Sequence, residues 1–192
     1  MKKLTLLILI PILSFGQIIK EGSRQIHLDF HTSGLIENIG ENFSKEQFKK
    51  ALKVGNVNSI NIFGKGHHGY SYYNTKIGTR HPNLKFDLLK EQIEACHEMG
   101  VTAQVYFTVG WSQKDADDHP EWILKDKNGT TNKLEILKKL GPNDRLPNFT
   151  WRLLAPSNGY DEFILKQVEE ICVNYDIDGF WFDILPVSYT HL

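Results

Sequence analysis

Residues 175–186 read YDIDGFWFDILP, and within them Gly179-Phe-Trp-Phe-Asp-Ile184 is apolar apart from one carboxylate, Asp183. A short apolar run that follows a helical pattern reads as a buried strand of a parallel sheet. The carboxylate at the far end of that strand cannot lie in hydrocarbon, because stripping water from its charge is too costly. It has to emerge where the strand ends, and in a parallel α/β fold that C-terminal rim is where sites are built. An aspartate that caps the following turn, or pairs with a buried arginine, satisfies the same pattern. The strand alone does not separate these readings.

Working outward, strand and helix alternate. Tyr160–Tyr175 predicts a helix, and Val101–Phe107 (VTAQVYF) a strand before it. Phe86–Met99 predicts a helix with Leu89, Ile93 and Cys96 turned inward and Gly100 as its stop. Ser59–Phe63 (SINIF) reads as a strand. Ser44–Val54 reads as a helix with Ser44 as N-cap and Gln47 as its capping-box partner. Arg24–Phe30 reads as a first strand. Each sequential strand pair then needs a crossover, so the sheet is expected to be parallel.

The connections are lopsided. Turns into strands are short (residues 55–58, 100 and 176–177), whereas segments leaving strands are long, above all Gly64–Lys85 and Thr108–Asn158. The latter is expected to carry one short helix, Pro120–Lys125, with Glu121 serving its N-terminus. Loops of that length are usually functional, and all leave from the rim where Asp183 emerges. This asymmetry predicts an α/β fold of the (β/α)8 TIM-barrel type, of which the chain holds about the first four βα units. Half a barrel leaves open strand edges, so an N-terminal fragment is expected. Residues 17–186 would form the half-barrel, and residues 187–192 a non-native tail in which His191 carries no weight.

The composition is that of an ordinary globular chain: 192 residues, 41% apolar and 23% charged, with a net charge of −1. That balance gives no electrostatic basis for binding nucleic acid. Met1-Lys2-Lys3 followed by the apolar run Leu4–Phe15 reads as a signal peptide, residues 1–16, cut before Gln17. The run is short for a membrane span. The expectation is an exported protein with no membrane attachment after cleavage. Cys96 and Cys172 both fall at helical positions that look inward, as free apolar fillers rather than a bridge.

Residues able to carry chemistry gather at the same rim. Period-two alternation in HLDFH puts His27, Asp29 and His31 on one face. They could hydrogen-bond a sugar, ligate a metal, or form a polar plug. In Gly64-Lys-Gly-His67-His68-Gly-Tyr70, glycines around two histidines allow a tight turn and close approach to a ligand, and neutral imidazoles suit hydroxyls. The P-loop pattern is not met. Tyr106 and Trp111 are placed to line the cleft.

A resemblance rests on these stretches. HLDFH, NIFGKGHHGY, VYFTVGW, HPEW, and the NGY helix leading into YDIDGFWFDI resemble the hypothetical glycosyl hydrolase group (glycosyl hydrolase-like family 6 type) related to the α-L-fucosidases of glycoside hydrolase family 29. The likeness runs from about Arg24 to Leu185. Locally, Lys65-Gly-His67-His68-Gly69 is similar to the fucosidase Lys-His-His-Asp-Gly, and Trp181-Phe-Asp183 to its Trp-Phe-Asp. The resemblance implies that Asp183 is the nucleophile and that His67 and His68 hold the sugar. Trp181 is expected among the substrate-binding residues. Two departures stand out: Gly66 separates the lysine from the histidines, and Gly69 replaces an aspartate.

The leading expectation is thus a secreted retaining glycosidase, fucosidase-like or galactosidase-like, acting on an oligosaccharide or glycoconjugate without cofactor or metal. Asp183 would attack the anomeric carbon. The acid/base carboxyl is expected beyond the C-terminus, which would leave this chain inactive alone. Two rivals remain: a metal-dependent barrel hydrolase using Asp29 and His31, or His67 and His68, as ligands, and a non-catalytic carbohydrate-binding barrel.

Overall fold

The structure is a computed structural model that describes residues 23–125 and 151–185. The expected signal peptide and C-terminal tail lie outside those residues. In chain order the elements are β1 (Gln25–His27), α1 (Lys45–Val54), β2 (Ser59–Lys65), β3 (Tyr70–Ser71), β4 (Thr79–Arg80), α2 (Leu88–Glu98), β5 (Thr102–Thr108), α3 (Gln113–Asp118), a 3-10 turn (Pro120–Trp122), α4 (Tyr160–Asn174) and β6 (Gly179–Asp183). The fold is mixed α/β, and β1, β2, β5 and β6 lie side by side in that order, all parallel.

Register explains which side chains face the site. Ile60 pairs with Ala103, and Ile62 with Val105 and through it Phe180. These face the helices and join Leu52, Leu89, Ile93, Cys96 and Ile171 in one buried cluster. On the opposite face the aligned sets are His27, Asn61 and Gln104, then Phe63, Tyr106 and Trp181, then Thr108 with Asp183 at the rim. That polar-tipped face carries the site.

The regular alternation of β2 breaks once. Pairing with β5 slips between Phe63 and Lys65, so that Lys65 lies opposite Phe107. Gly64 is the extra residue of this bulge, and a Cβ there would come within 2.7 Å of Val105. A bulge re-aims the residue that follows it. Here it swings Lys65 off the site face and into the helix layer.

Several expectations change. The first strand is only three residues long, because the edge of β2 is free to pair β1 only at Ser59–Asn61. Beyond it, the Tyr72 hydroxyl donates to the Phe30 carbonyl at 2.7 Å and accepts from the Thr32 amide at 3.0 Å. Gly64–Lys85 is not all loop, since β3 folds back antiparallel on β2 and pairs β4. The short helix at Pro120–Lys125 contracts to one 3-10 turn, and α3 precedes it unforeseen, capped by the Ser112 hydroxyl. Cys172 is exposed rather than inward. Ile171 heads the buried stripe of α4, and the next residue lies about 100° around the helix.

The helix-to-strand turns are short, and the rim segments long, as the sequence implies. Among the described residues no helix is long and apolar enough to cross a membrane.

Burial at the helix–sheet contact sets the scale of stability. Leu89 is fully buried, whereas Leu165 on α4 is 66% exposed. Leu89→Ala is expected to lower unfolding free energy by about 2–5 kcal/mol, and Leu165→Ala to change it by less than about 0.5 kcal/mol. Urea unfolding followed by circular dichroism checks both.

Candidate active site

The site begins with β5, whose edges are both paired. Tyr106 and Thr108 point to the same face, two residues apart, at its C-terminal end. The Tyr106 hydroxyl donates to Asp183 Oδ2 at 2.5 Å, and its ring stacks on Phe63 with centroids 4.1 Å apart. The second Asp183 oxygen accepts the N–H of Ile184 at 2.8 Å. Ile184 has φ of 53°, a left-handed conformation that is costly for a β-branched residue. Burial, reinforced by the Asp183 carboxylate, pushes the Tyr106 hydroxyl well above its ordinary value. It therefore stays protonated and remains a donor.

His67 faces this pair. Residues 66–69 form a turn closed by the Gly69 N–H donating to the Gly66 carbonyl at 2.8 Å, with His67 and His68 at its two central positions. His67 Nδ1 lies 2.8 Å from the Thr108 hydroxyl, which spends its own proton on the Trp111 carbonyl at 2.9 Å. Thr108 must accept, so His67 carries its proton on Nδ1. That leaves the Nε2 lone pair directed at the cleft, 3.4 Å from the Tyr106 oxygen and 3.7 Å from Asp183 Oδ2. Burial first, and the His31 imidazole second, hold the His67 pKa down to about 4. The ring is neutral near pH 7 and can accept a hydroxyl proton.

His31 stacks on His67, centroids 3.8 Å apart and 11° from parallel. Its Nδ1 accepts the His67 backbone N–H at 3.0 Å, so its proton lies on Nε2, 3.7 Å from Asp29. Burial lowers its pKa against the pull of Asp29. His27 continues the chain: the Asn61 amide lies 3.0 Å from Nδ1, and Nε2 lies 3.0 Å from Asp29 Oδ1. Asp29 is a largely exposed carboxylate shared by two imidazoles. The structure thus brings together seven expected residues: Asp183, Tyr106, His67, His31, Asp29, His27 and Trp111, whose ring meets His67 edge-on at 5.0 Å.

Trp181 and His68 stand further out. Trp181 shares the face of Tyr106, is 48% exposed, and has its ring centroid 6.0 Å from His27. His68 meets Trp151 edge-on at 5.4 Å, and burial, then His81, lower its pKa. Trp151 was not anticipated from sequence. Its ring centroid lies 4.8 Å from that of His67 and 5.8 Å from that of His31. An antiparallel bridge, Trp111 with Leu153, holds its segment against the end of β5. Among the described residues, no group of three or more His, Cys, Asp or Glu side chains is placed to hold a metal ion.

A carboxylate at a strand end, a tyrosine hydroxyl on it and neutral imidazoles around it form a surface for a polyhydroxylated ligand. Residues 44–184 match the family described as hypothetical glycosyl hydrolase 6. The chain belongs to that family. Among solved structures it is similar to α-L-fucosidase isoenzyme 2 from Paenibacillus thiaminolyticus, at 40% identity and a TM-score of 0.75 over 85% of this chain and 23% of that one. Two further likenesses show the fold alone. One is a noncanonic maltogenic α-amylase, AmyB, from Thermotoga neapolitana, at 17% identity and TM-score 0.52 over 85% of this chain and 39% of that one. The other is the Thermotoga maritima α-fucosidase, at 21% identity and TM-score 0.50 over 76% and 29%. This member of the family therefore spans less than a quarter of the first protein and well under half of the others. No curated protein matches it.

The depressed His67 pKa ties the site to stability. With a folded value of about 4 against 6.5 for a free imidazole, the unfolded chain takes up the proton first as pH falls. The stability this residue contributes is complete above about 6.5 and declines as pH drops toward about 4. His67→Gln is expected to flatten that window, read as the urea midpoint measured across it.

Proposed function

We propose that this chain carries the nucleophile side of a retaining glycoside hydrolase site within a (β/α) barrel. The observation that supports this most is the placement of Asp183 at the rim end of β6, with Tyr106 donating to one oxygen and the acceptor nitrogen of neutral His67 3.7 Å from it. Membership of the glycosyl hydrolase family and the 40% identity to a fucosidase support the same reading.

In this mechanism Asp183 attacks the anomeric carbon as the glycosidic bond breaks, giving a glycosyl ester that water then hydrolyses. The bond to Tyr106 holds the attacking oxygens in place, and the Ile184 N–H fixes the rotation of the carboxylate. His67, through its free lone pair, accepts from a hydroxyl of the same sugar ring. His31, Asp29 and His27 extend the hydrogen-bonding surface, and Trp111 and Trp181 flank it. A second carboxylic acid protonates the leaving oxygen. We assign no described residue to that role. The substrate we propose is a fucoside-like or galactoside-like glycoconjugate.

The Asp183 assignment is tested by labelling with a 2-fluoro-fucosyl fluoride and mapping the adduct by peptide mass spectrometry. The ester is expected on the peptide that contains Asp183. In a version that turns over an aryl α-L-fucoside, Asp183→Asn is expected to cut turnover by roughly 10³-fold or more while sugar binding persists. Full activity in that variant would remove the nucleophile role.

We also propose export, supported by the basic Met1-Lys2-Lys3 and the apolar Leu4–Phe15. A mature N-terminus at Gln17, found by mass spectrometry of the exported protein, is the expected result.

A further inference from the structure

Behind the histidine turn, on the helix side of the sheet, lies an ion pair that the sugar-cleaving chemistry does not use. Lys65 Nζ is 2.6 Å from Asp115 Oδ2, and the two side chains are only 1% and 4% exposed. The ammonium sits between the rings of Phe107, at 5.5 Å, and Phe163, at 5.4 Å. The same carboxylate oxygen accepts the Ser112 hydroxyl at 2.6 Å. A buried pair of this kind is weak evidence of stabilisation, because desolvation offsets most of its attraction. What it does supply is a fixed geometry between β2, which carries Lys65, and α3, which carries Asp115.

That geometry reaches the site through the backbone. The first two N–H groups of α3 have no partner within their own helix. The Gln113 N–H donates to the His67 carbonyl and the Lys114 N–H to the His68 carbonyl, each at 3.1 Å. The turn is packed so closely on α3 that a Cβ at Gly69 would lie 2.4 Å from the Ser112 hydroxyl and 3.0 Å from the Lys114 nitrogen. Gly69 also has φ of +86°. On the other side, a Cβ at Gly66 would lie 2.9 Å from the Tyr72 hydroxyl. Both glycines that depart from the fucosidase pattern are therefore the residues that let the turn dock on its supports.

We infer that Lys65 and Asp115 are positioning residues: their ion pair seats α3 beneath the histidine turn, and so sets where His67 presents Nε2 to Asp183. The consequence for sugar recognition rests on the proposed function, but the coupling itself does not. The bulge at Gly64 is what makes it possible, by aiming Lys65 at α3 rather than into the cleft.

The test reads His67 directly and needs no ligand. In the intact chain, nitrogen-detected NMR of labelled histidine is expected to show His67 with its proton on Nδ1 and a pKa near the value of about 4 that its burial implies. Asp115→Asn leaves a buried ammonium without its counter-charge and reports on folding as much as on position. The deciding variant is therefore Lys65→Met with Asp115→Leu, which fills the same space without charge. It is expected to unfold cooperatively, while the proton affinity of His67 rises by roughly tenfold or more and the slowly exchanging Nδ1–H signal is lost. Gln113→Pro gives an independent reading. Proline is tolerated at the first position of a helix, and Ser112 already has the extended backbone that precedes proline (φ −155°, ψ 105°). It deletes one N–H to the turn and is expected to move His67 in the same direction with the ion pair intact. If His67 keeps its tautomer and titration in both variants, the pair only stabilises the fold and the inference is overturned. Failure of the fucosyl adduct to form at Asp183 would leave this result standing, so the two readings fail separately.

Discussion

Tyr106 and Thr108 lie two residues apart on a strand paired along both edges, and each ends in one hydroxyl that has to be satisfied at the rim. Each has a single proton to give, and the rest of the site follows from where it goes. Tyr106 donates its hydrogen bond to Asp183, and Thr108 donates its own to the Trp111 carbonyl. Thr108 can then only accept from His67, and the His67 tautomer is settled without any appeal to a ligand. Because β5 is hydrogen-bonded on both sides, neither hydroxyl can move without disturbing β2 or β6.

The electrostatics of the site are those of two neutral, stacked imidazoles, His31 and His67, set between two carboxylates, Asp29 and Asp183. Burial lowers the pKa of both imidazoles, whose centroids lie 3.8 Å apart, and His31 further disfavours protonation of His67. The result is a set of donors and acceptors rather than a cluster of cations, which suits hydroxyls better than phosphates. The polar ladder below the site, from Gln25 through Asn61 to His27 and Asp29, carries hydrogen bonds from the floor of the sheet to the exposed rim. It gives the buried amide of Asn61, 2% exposed, the partners it needs.

Support for the histidine turn comes from the face of the sheet opposite the chemistry. A bulge in β2 allows one strand to serve both faces: Phe63 points to the site, and Lys65 two residues later points to the helices. The turn that follows is held by helix N–H groups on one side and by His31 on the other, through the His67 backbone N–H. His67 is thus fixed through its main chain as well as its ring. A side chain that only accepts a ligand proton still needs such support to hold its position to a fraction of an ångström.

Much of this was legible in the sequence because it depends on local pattern. The alternation of strands and helices, the short turns before strands and the long segments after them follow from periodicity and from Gly and Asn stops. The rim position of Asp183 follows from the cost of burying its charge. His27, Asp29 and His31 do converge as expected, but only the first lies in β1, so the other two are placed by tertiary contacts such as the His67 N–H to His31 bond rather than by strand alternation. The family resemblance pointed to Asp183 and the histidine pair on the same stretches. Other features depend on contacts between residues far apart in the chain, and no local pattern carries them. The shift of Lys65 to the helix side is a slip in register against β5, and α3, reading QKDADD, has no apolar stripe to announce it. Trp151 joins the site because its segment bridges to a residue far earlier in the chain, Leu153 pairing with Trp111. Sequence by itself pointed to most of the polar residues of the site and to the end of the sheet where they gather. Tertiary structure alone decided how the hydroxyl protons of β5 are shared out, and so which nitrogen of His67 faces Asp183.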